Sequence, residues 1–205
     1  MTVAAVVVAR DADPLAEAVG RPAVRRVVDS AWAGGAMPIV VVVPDAAAVE
    51  SALAGSPART VEASGAEAAG VLQGVSLAAS VVVETGAVLL WPMAMTWVDP
   101  ETVTSLIEAS GRQPGRVVRP AYAGEPGWPV LLPIELVPDP SAVDETNSID
   151  DLLPAEDVVI VDLGDPGSVS GMEVEMDALP AYEGPPEPVG GPPPEWGAQA
   201  AETPD

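Results

Sequence analysis

Four side-chain types are missing from this chain of 205 residues: cysteine, histidine, phenylalanine and lysine. Without cysteine there can be no disulfide bond and no thiol chemistry. Without histidine there is no imidazole general base, no Ser-His-Asp arrangement and no imidazole metal ligand. The hydrophobic residues, 48% of the chain, are mostly Val, Ala and Leu. Such a composition favours a parallel sheet covered by Ala-rich helices.

Positive charge is scarce and unevenly placed. The formal net charge is −23, all eight cations are arginines, and Arg119 is the last of them. Residues 1–119 hold 12 acids, whereas residues 120–205 hold 19 acids and no cation. Nucleic acids and anionic membranes attract basic surfaces, so we expect neither as a partner. A protein partner with a basic face is compatible with this charge. The acidity is equally typical of a protein kept soluble in a salty or crowded cell.

The chain length and the first residues bear on organisation and location. A chain of 205 residues suits one domain with a sizeable core better than two domains. The chain begins with an apolar stretch, residues 3–9, that no basic segment precedes, which is typical of a strand rather than a signal peptide. Since no apolar run approaches the roughly 20 residues of a membrane span, we expect a cytoplasmic protein.

Strand and helix signals alternate along the first 182 residues. Apolar, β-branched runs predict strands at 3–8, 39–43, 60–63, 87–91, 117–118, 130–132 and 158–161. Helical spacing with capping residues predicts helices at 22–33, 45–54, 66–83 and 99–111, and a helical turn at 150–153. This order predicts an α/β, three-layer sandwich with a mostly parallel sheet. A turn at 123–127 predicts one antiparallel hairpin inserted into that sheet.

The composition changes near residue 183. Residues 183–205 are rich in Pro, Gly and Glu and include the runs Pro-Pro-Glu-Pro and Pro-Pro-Pro-Glu. Such a segment is a poor former of helices and ladders. We therefore predict an α/β domain over residues 1–182, followed by an acidic, disordered or polyproline-like tail over residues 183–205.

Several stretches share their order and spacing with a known family. They are a Gly-Arg-Pro turn leading to a Val-rich strand (20–43), a strand followed by a Val-Asp-Pro-Glu-Thr helix start (87–109), an Arg-Pro and Gly-Trp-Pro hairpin (118–132), and Asp165-Pro166-Gly167. Together they resemble the MobA-like nucleotidyltransferases, which include the molybdenum-cofactor cytidylyl- and guanylyltransferases. The resemblance implies a Rossmann-like fold of the nucleotide-diphospho-sugar-transferase type.

The resemblance also implies three catalytic devices. These are a Gly-rich loop with Arg and Lys that holds the phosphates, an Asp that binds Mg²⁺, and a second acidic pair late in the chain. Most matching positions in this chain carry other residue types. The nine positions of this vestigial pocket are Arg10 in a shortened loop, Asp13 at the Lys position, Gly70 at a Ser position, the retained Gly74, Ala94 at the metal Asp, Gly127 before Trp128 at the hairpin His, and Glu175 with Asp177 at the acidic pair.

Three functional hypotheses follow from these positions. The first is a catalytically degenerate member without catalytic residues, metal or cofactor, which acts as a binding or scaffolding subunit for another protein. The second is an active NTP transferase with a rearranged site, in which Arg10, Arg21 and Arg119 bind phosphates while Glu175 and Asp177 hold Mg²⁺. The third is a small-molecule binder that stacks a pterin-like ring on Trp128.

The Met and Trp residues around these positions have two interpretations. Trp91, Met93, Met95, Trp97 and Trp128 are typical of a contact patch if they are exposed. If they are buried, they fill the space of the former pocket and belong to the core.

Overall fold

The computed structural model describes residues 2–9, 12–63, 65–144, 146–154 and 157–184. Within these ranges the chain forms eight strands: β1 (Thr2–Val8), β2 (Ile39–Val43), β3 (Arg59–Glu62), β4 (Thr85–Pro92), β5 (Val117–Tyr122), β6 (Glu125–Pro126), β7 (Val130–Pro133) and β8 (Val158–Asp162). It also forms four α-helices: α1 (Ala23–Ala33), α2 (Ala46–Leu53), α3 (Glu67–Val81) and α4 (Pro100–Arg112). Short 3₁₀ turns connect the later strands. One of them, Asp150–Leu152, lies where a helical turn was predicted.

The strands form one sheet in the order β3-β2-β1-β4-β7-β5-β6, with β8 paired to β5. Strands β1 to β4 run parallel, and β8 runs parallel to β5. Strand β7 is antiparallel to both β4 and β5. Strand β6 is also antiparallel to β5. The predicted fold is therefore confirmed: a mostly parallel sheet with an inserted antiparallel hairpin.

The sheet separates two apolar cores, as a three-layer sandwich requires. Alternate residues of β1 face opposite sides, so Val3, Ala5 and Val7 pack towards α1, α2 and α4. Ala4, Val6 and Val8 pack towards α3 on the other side. All of these side chains are buried. Because both faces are covered, the central strands can be apolar throughout.

Local capping residues set the ends of two helices. The Asp45 carboxylate accepts hydrogen bonds from the backbone N–H groups of Ala47 and Ala48 at the start of α2. The Asp99 carboxylate accepts one from Glu101 N at 2.9 Å at the start of α4. Both satisfy orphan donors of the first helical turn. Helix α3 ends at Val81, so the valines after it do not extend it.

The Met and Trp residues belong largely to the core. Trp91, Met93, Trp97 and Trp128 are all buried, and Met95 packs partly buried against both cores. The core interpretation is confirmed, and these residues do not form a contact patch.

The last described residues still contact the domain. Glu183 N donates to the carbonyl oxygen of Gly164 at 2.9 Å. The described chain thus continues on the domain to Gly184, past the predicted boundary, and the rest of the predicted tail, 185–205, lies outside the described residues. In the part of the chain that is described, no helix has both the length and the apolar character that crossing a membrane demands.

Candidate functional site

The carboxyl ends of the parallel strands meet at one edge of the sheet, where open α/β folds bind their ligands. At this carboxyl edge a cavity of about 240 Å³ opens between the ends of β1 and β2 and the start of α3. Its lining includes Val8, Val43, Ala63, Glu67 and Gly70. Of the nine predicted pocket residues, Gly70 is the one that this cavity's described lining contains. The cavity is a candidate binding site for a small ligand.

Two glycines bring α3 close to the sheet beneath this cavity. A Cβ atom on Gly74 would lie 2.8 Å from Cγ1 of Val6 and 3.0 Å from Cγ2 of Val42. A Cβ atom on Gly70 would lie 3.0 Å from Cβ of Ala63 and 3.1 Å from Cγ1 of Val42. Because these distances are shorter than ordinary carbon contacts, both glycines have a packing role that is independent of any ligand.

Ala94 lies in a tightly bonded loop between β4 and α4. The indole Nε1 of Trp91 donates to Met95 O at 2.9 Å, and the hydroxyl of Thr96 donates to Met93 O at 2.9 Å. The carbonyl oxygen of Ala94 accepts from Thr96 N at 2.9 Å and from Met172 N at 2.8 Å. The main chain of residue 172 therefore adjoins the position where the resemblance places a metal-binding Asp.

Trp128 and Arg119 occupy the hairpin side of the edge. The Arg119 guanidinium carbon lies 5.2 Å from the Trp128 ring centroid, within the range of a cation–π contact. The Nε of Arg119 also donates to Gly127 O at 2.9 Å. Trp128 is only 7% exposed. A pterin-like ring stacked on this face of Trp128 would have to displace the guanidinium.

A turn at 165–168 joins the hairpin to the loop that follows β4. Trp128 N donates to Ser168 O at 2.7 Å, and Gly127 packs directly against Ser168. On its other side the turn contacts α4 through Asp165, whose Oδ2 accepts from Asp99 N at 3.0 Å and from the Thr102 hydroxyl at 2.7 Å. Its Oδ1 accepts from Gly167 N at 2.8 Å. We call this segment, Asp165–Ser168, the clamp turn.

The surroundings of Asp165 are apolar and acidic. Burial raises the pKa of Asp165 above its usual value of 3.8, against the opposing effect of its hydrogen bonds from Thr102, Asp99 N and Gly167 N. Burial, followed by the charges of Asp99 and Asp165, also raises the pKa of Tyr182 to about 12. The start of α4 is therefore a place where additional negative charge is disfavoured.

The raised pKa of Asp165 predicts a specific pH dependence of stability. The folded chain keeps this proton at pH values where the unfolded chain has released it. The quantity to compare is the free energy of unfolding of the wild type minus that of Asp165→Asn. This difference should fall as the pH rises from 3.8 through the folded-state pKa of Asp165, and it should stay constant above that pKa. Urea unfolding of both proteins across a pH series measures this difference. A difference that grows with pH in this window would mean that the hydrogen bonds outweigh the burial.

The arginines assigned to phosphates in the active-enzyme hypothesis have partners inside the protein, as far as the structure describes them. Arg21 forms an ion pair with Asp29 at 2.8 Å, and Arg119 is held by Gly127 and Trp128. Arg10 lies outside the described residues. Asp13 is exposed and accepts a hydrogen bond from Leu15 N at 2.9 Å, so it stabilises a local turn.

Glu175 and Asp177, the predicted acidic pair, are both exposed. Met176 between them contacts α1, where Arg26 Nη2 lies 3.4 Å from its sulfur. The Arg26 guanidinium also lies over the Trp97 ring, with its carbon 5.1 Å from the centroid. The structure thus places this segment against α1 through its methionine. Among the described residues, neither carboxylate belongs to a group of three or more possible metal ligands.

Sequence reasoning missed the importance of Asp165. Its Asp-Pro-Gly context contributes to the family resemblance, and Asp before Pro is also a common start of a helical turn. That signal predicts the bond to Gly167 N. The bonds to Asp99 and Thr102 connect residues more than 60 positions apart, and no local pattern indicates them.

Comparison with known families decides the assignment of the fold. The model of the MobA-like NTP transferase domain matches residues 13–159. The chain belongs to this family. No curated protein sequence matches the chain.

Solved structures share the architecture of this MobA-like domain. A Mycobacterium tuberculosis protein, Rv0371c, crystallised as a complex with manganese, is 18% identical with a TM-score of 0.62, covering 84% of this chain and 95% of its own. A 4-diphosphocytidyl-2C-methyl-D-erythritol synthase from Anaerococcus prevotii is 15% identical with a TM-score of 0.67, covering 82% and 91%. At such identities the likeness shows the fold alone.

The metal that the resemblance implies does not fit the residues at this edge. The side chain of Ala94 has no ligand atom, whereas Mg²⁺ requires several oxygen ligands in a near-octahedral arrangement. Among the described residues, no group of three or more carboxylates is placed to hold a metal ion.

Proposed function

We propose that this MobA-like domain is a non-catalytic member of the NTP transferase family that acts as a binding or scaffolding subunit for a protein partner. The observation that supports this most strongly is the loop after β4. Residue 94 offers no side-chain oxygen, and its carbonyl group is already bonded to Met172 N at 2.8 Å. Nucleotidyl transfer depends on neutralising phosphate charge, and this loop contributes no metal ligand for that purpose.

The charge of the chain supports the same proposal. The family's phosphate-binding Lys corresponds to Asp13, and no lysine elsewhere can replace it. Two like charges about 4 Å apart repel by about 4 kcal/mol at an effective dielectric constant near 20. The carboxylate of Asp13 therefore disfavours the binding of a triphosphate at this position. A net charge of −23 is compatible with a partner that presents a basic face.

One observation favours the second candidate, an active NTP transferase with a rearranged site. The cavity of about 240 Å³ at the carboxyl edge remains open, between β1, β2 and the first turn of α3. Its position at the ends of parallel strands suits a bound ligand such as a nucleotide. In this alternative Arg10, Arg21 and Arg119 bind the phosphates, and Glu175 with Asp177 supplies carboxylates for Mg²⁺.

Titration calorimetry with nucleotides separates the two candidates. We expect no binding heat when the full chain is titrated with CTP, GTP, ATP or UTP at millimolar concentration in the presence of Mg²⁺, because charge-neutralising groups are lacking. Binding of one nucleotide that requires Mg²⁺, and that is lost in Glu175→Gln/Asp177→Asn, would establish the rearranged active site instead.

A further inference from the structure

The outer edge of β8 is an open edge of the sheet. Strand β8 pairs with β5 on one side, and no described residue pairs with its other side. Leu163 N donates to Ala121 O, which continues the β5–β8 ladder past the end of the strand. Because successive residues of a strand point their backbone groups to opposite sides, Val159 and Val161 bond to β5. The N–H and C=O groups of Val158, Ile160 and Asp162 therefore point outwards.

This edge lacks two residue types that commonly prevent strand addition. The sequence of β8 is Val-Val-Ile-Val-Asp, without the lysine or proline that blunts many edge strands. The side chain of Ile160 is 49% exposed. The opposite edge of the sheet differs, since β3 carries exposed charges of both signs, Arg59 and Glu62. An apolar, unpaired edge is a template for another strand.

Negative charge flanks the open edge at both ends. Asp157 precedes β8 with a side chain that is 84% exposed, and its ion pair with Arg116 is long, at 3.9 Å. Asp162 ends the strand and is also exposed. Residues 120–205 contain no cation at all. A partner strand with basic residues at its two ends and apolar residues between them is complementary to this pattern.

A second copy of the chain is a poorer match for this edge. Antiparallel pairing of two β8 strands about Ile160 would place Asp162 opposite Val158 of the other copy. Each Asp157 and Asp162 would then lie beside acids of a chain that itself carries a net charge of −23. Like charges across paired strands are destabilising.

We propose that the outer edge of β8, Val158–Asp162, binds an extended segment of a protein partner as an added strand, with apolar residues at its centre and Arg or Lys at its ends. This inference rests on the proposed function and names the surface through which a partner is held. The backbone groups of Val158, Ile160 and Asp162 supply the hydrogen bonds. Asp157 and Asp162 select the basic ends.

A blocked peptide, Arg-Val-Thr-Val-Thr-Val-Arg, is a suitable probe, with its Glu-ended counterpart as the control. Binding to the ¹⁵N-labelled full chain is followed by amide chemical shifts and by titration calorimetry. Ile160→Pro removes one outward N–H group while leaving the Val159 and Val161 bonds to β5 in place. Ile160→Thr is the matched variant, because it keeps the N–H group and a β-branched side chain.

We expect the Arg-ended peptide to shift the amides of residues 158–162 and to bind about tenfold more weakly to Ile160→Pro, as expected for the loss of one or two backbone hydrogen bonds. Ile160→Thr should change the affinity much less. Asp157→Asn/Asp162→Asn should reduce the salt dependence of binding.

Three results would overturn the inference. One is equal affinity of the wild type and Ile160→Pro, and another is equal binding of the Glu-ended peptide. The third is a dimer in light scattering that Ile160→Pro abolishes, which would assign the edge to a second copy. If neither the Arg-ended peptide nor any nucleotide binds, the proposed role of the β8 edge is refuted. The proposal of a non-catalytic protein is not affected by that result.

Discussion

Replacement of Asp165 by alanine is expected to lower the free energy of unfolding by about 3 kcal/mol. The carboxylate accepts hydrogen bonds from Asp99 N, the Thr102 hydroxyl and Gly167 N, all in buried or half-buried surroundings. Its removal leaves the N–H groups of Asp99 and Gly167 without this acceptor, and each unsatisfied buried group costs about 1–3 kcal/mol. The Thr102 hydroxyl also hydrogen-bonds with Tyr182 and can rotate towards it. Relief of the buried charge offsets part of this loss, as the raised pKa of Asp165 indicates.

Asp162→Ala is the matched control for this variant. Asp162 is exposed and accepts a hydrogen bond from Gly164 N at 3.2 Å, so its loss should cost less than about 1 kcal/mol. Urea unfolding of both variants and the wild type at neutral pH measures the difference. Equal losses for the two variants would show that the clamp turn does not hold the loop after β4 to the hairpin.

Alanine at Gly74 is expected to destabilise the protein by about 1–3 kcal/mol. The new Cβ atom would lie 2.8 Å from Cγ1 of Val6 and 3.0 Å from Cγ2 of Val42. Both valines are buried in central strands with short side chains, so neither can move away without a shift of α3 or the sheet. The higher helix propensity of alanine, worth about 1 kcal/mol, opposes this loss without cancelling it.

Gly111→Ala is the matched control, because it adds the same methyl group at a position where no other atom is close. Gly111 lies in the last turn of α4, and a Cβ atom there would meet nothing within 4 Å. We expect this variant to be as stable as the wild type or more stable, by up to about 1 kcal/mol. Thermal and urea unfolding of the two variants compare them directly. No destabilisation by Gly74→Ala would contradict the close packing of α3 on β1 and β2. An equal loss of stability in Gly111→Ala would mean that the added methyl group acts through the helix rather than through this packing.

The elements of this fold were predictable because their signals are local. Apolar β-branched runs indicated β1, β2 and β4, and Asp before Pro at 99–100 indicated the start of α4. The glycine-containing turn at 123–127 indicated the inserted hairpin, which places β7 antiparallel in the sheet. Each of these patterns depends only on residues that are close together in the sequence.

The arrangement at the carboxyl edge was less predictable, because it depends on contacts distant in sequence. The resemblance indicated which positions to compare, but not that Met172 N bonds to Ala94 O or that Trp128 N bonds to Ser168 O. The stacking of Arg119 on Trp128 requires the hairpin geometry, which periodicity does not reveal. The roles of the nine predicted pocket residues remain predictions, to be tested with ligands.

In the proposed non-catalytic function, the carboxyl edge of this MobA-like domain does not hold a metal–nucleotide complex. Calorimetric titration of the full chain with each of CTP, GTP, ATP and UTP, with and without Mg²⁺, tests it most directly. We expect no binding at millimolar nucleotide under either condition. Saturable binding of one nucleotide at a single site, present with Mg²⁺ and absent without it, would contradict the claim and identify the chain as a nucleotide-binding transferase with a rebuilt site.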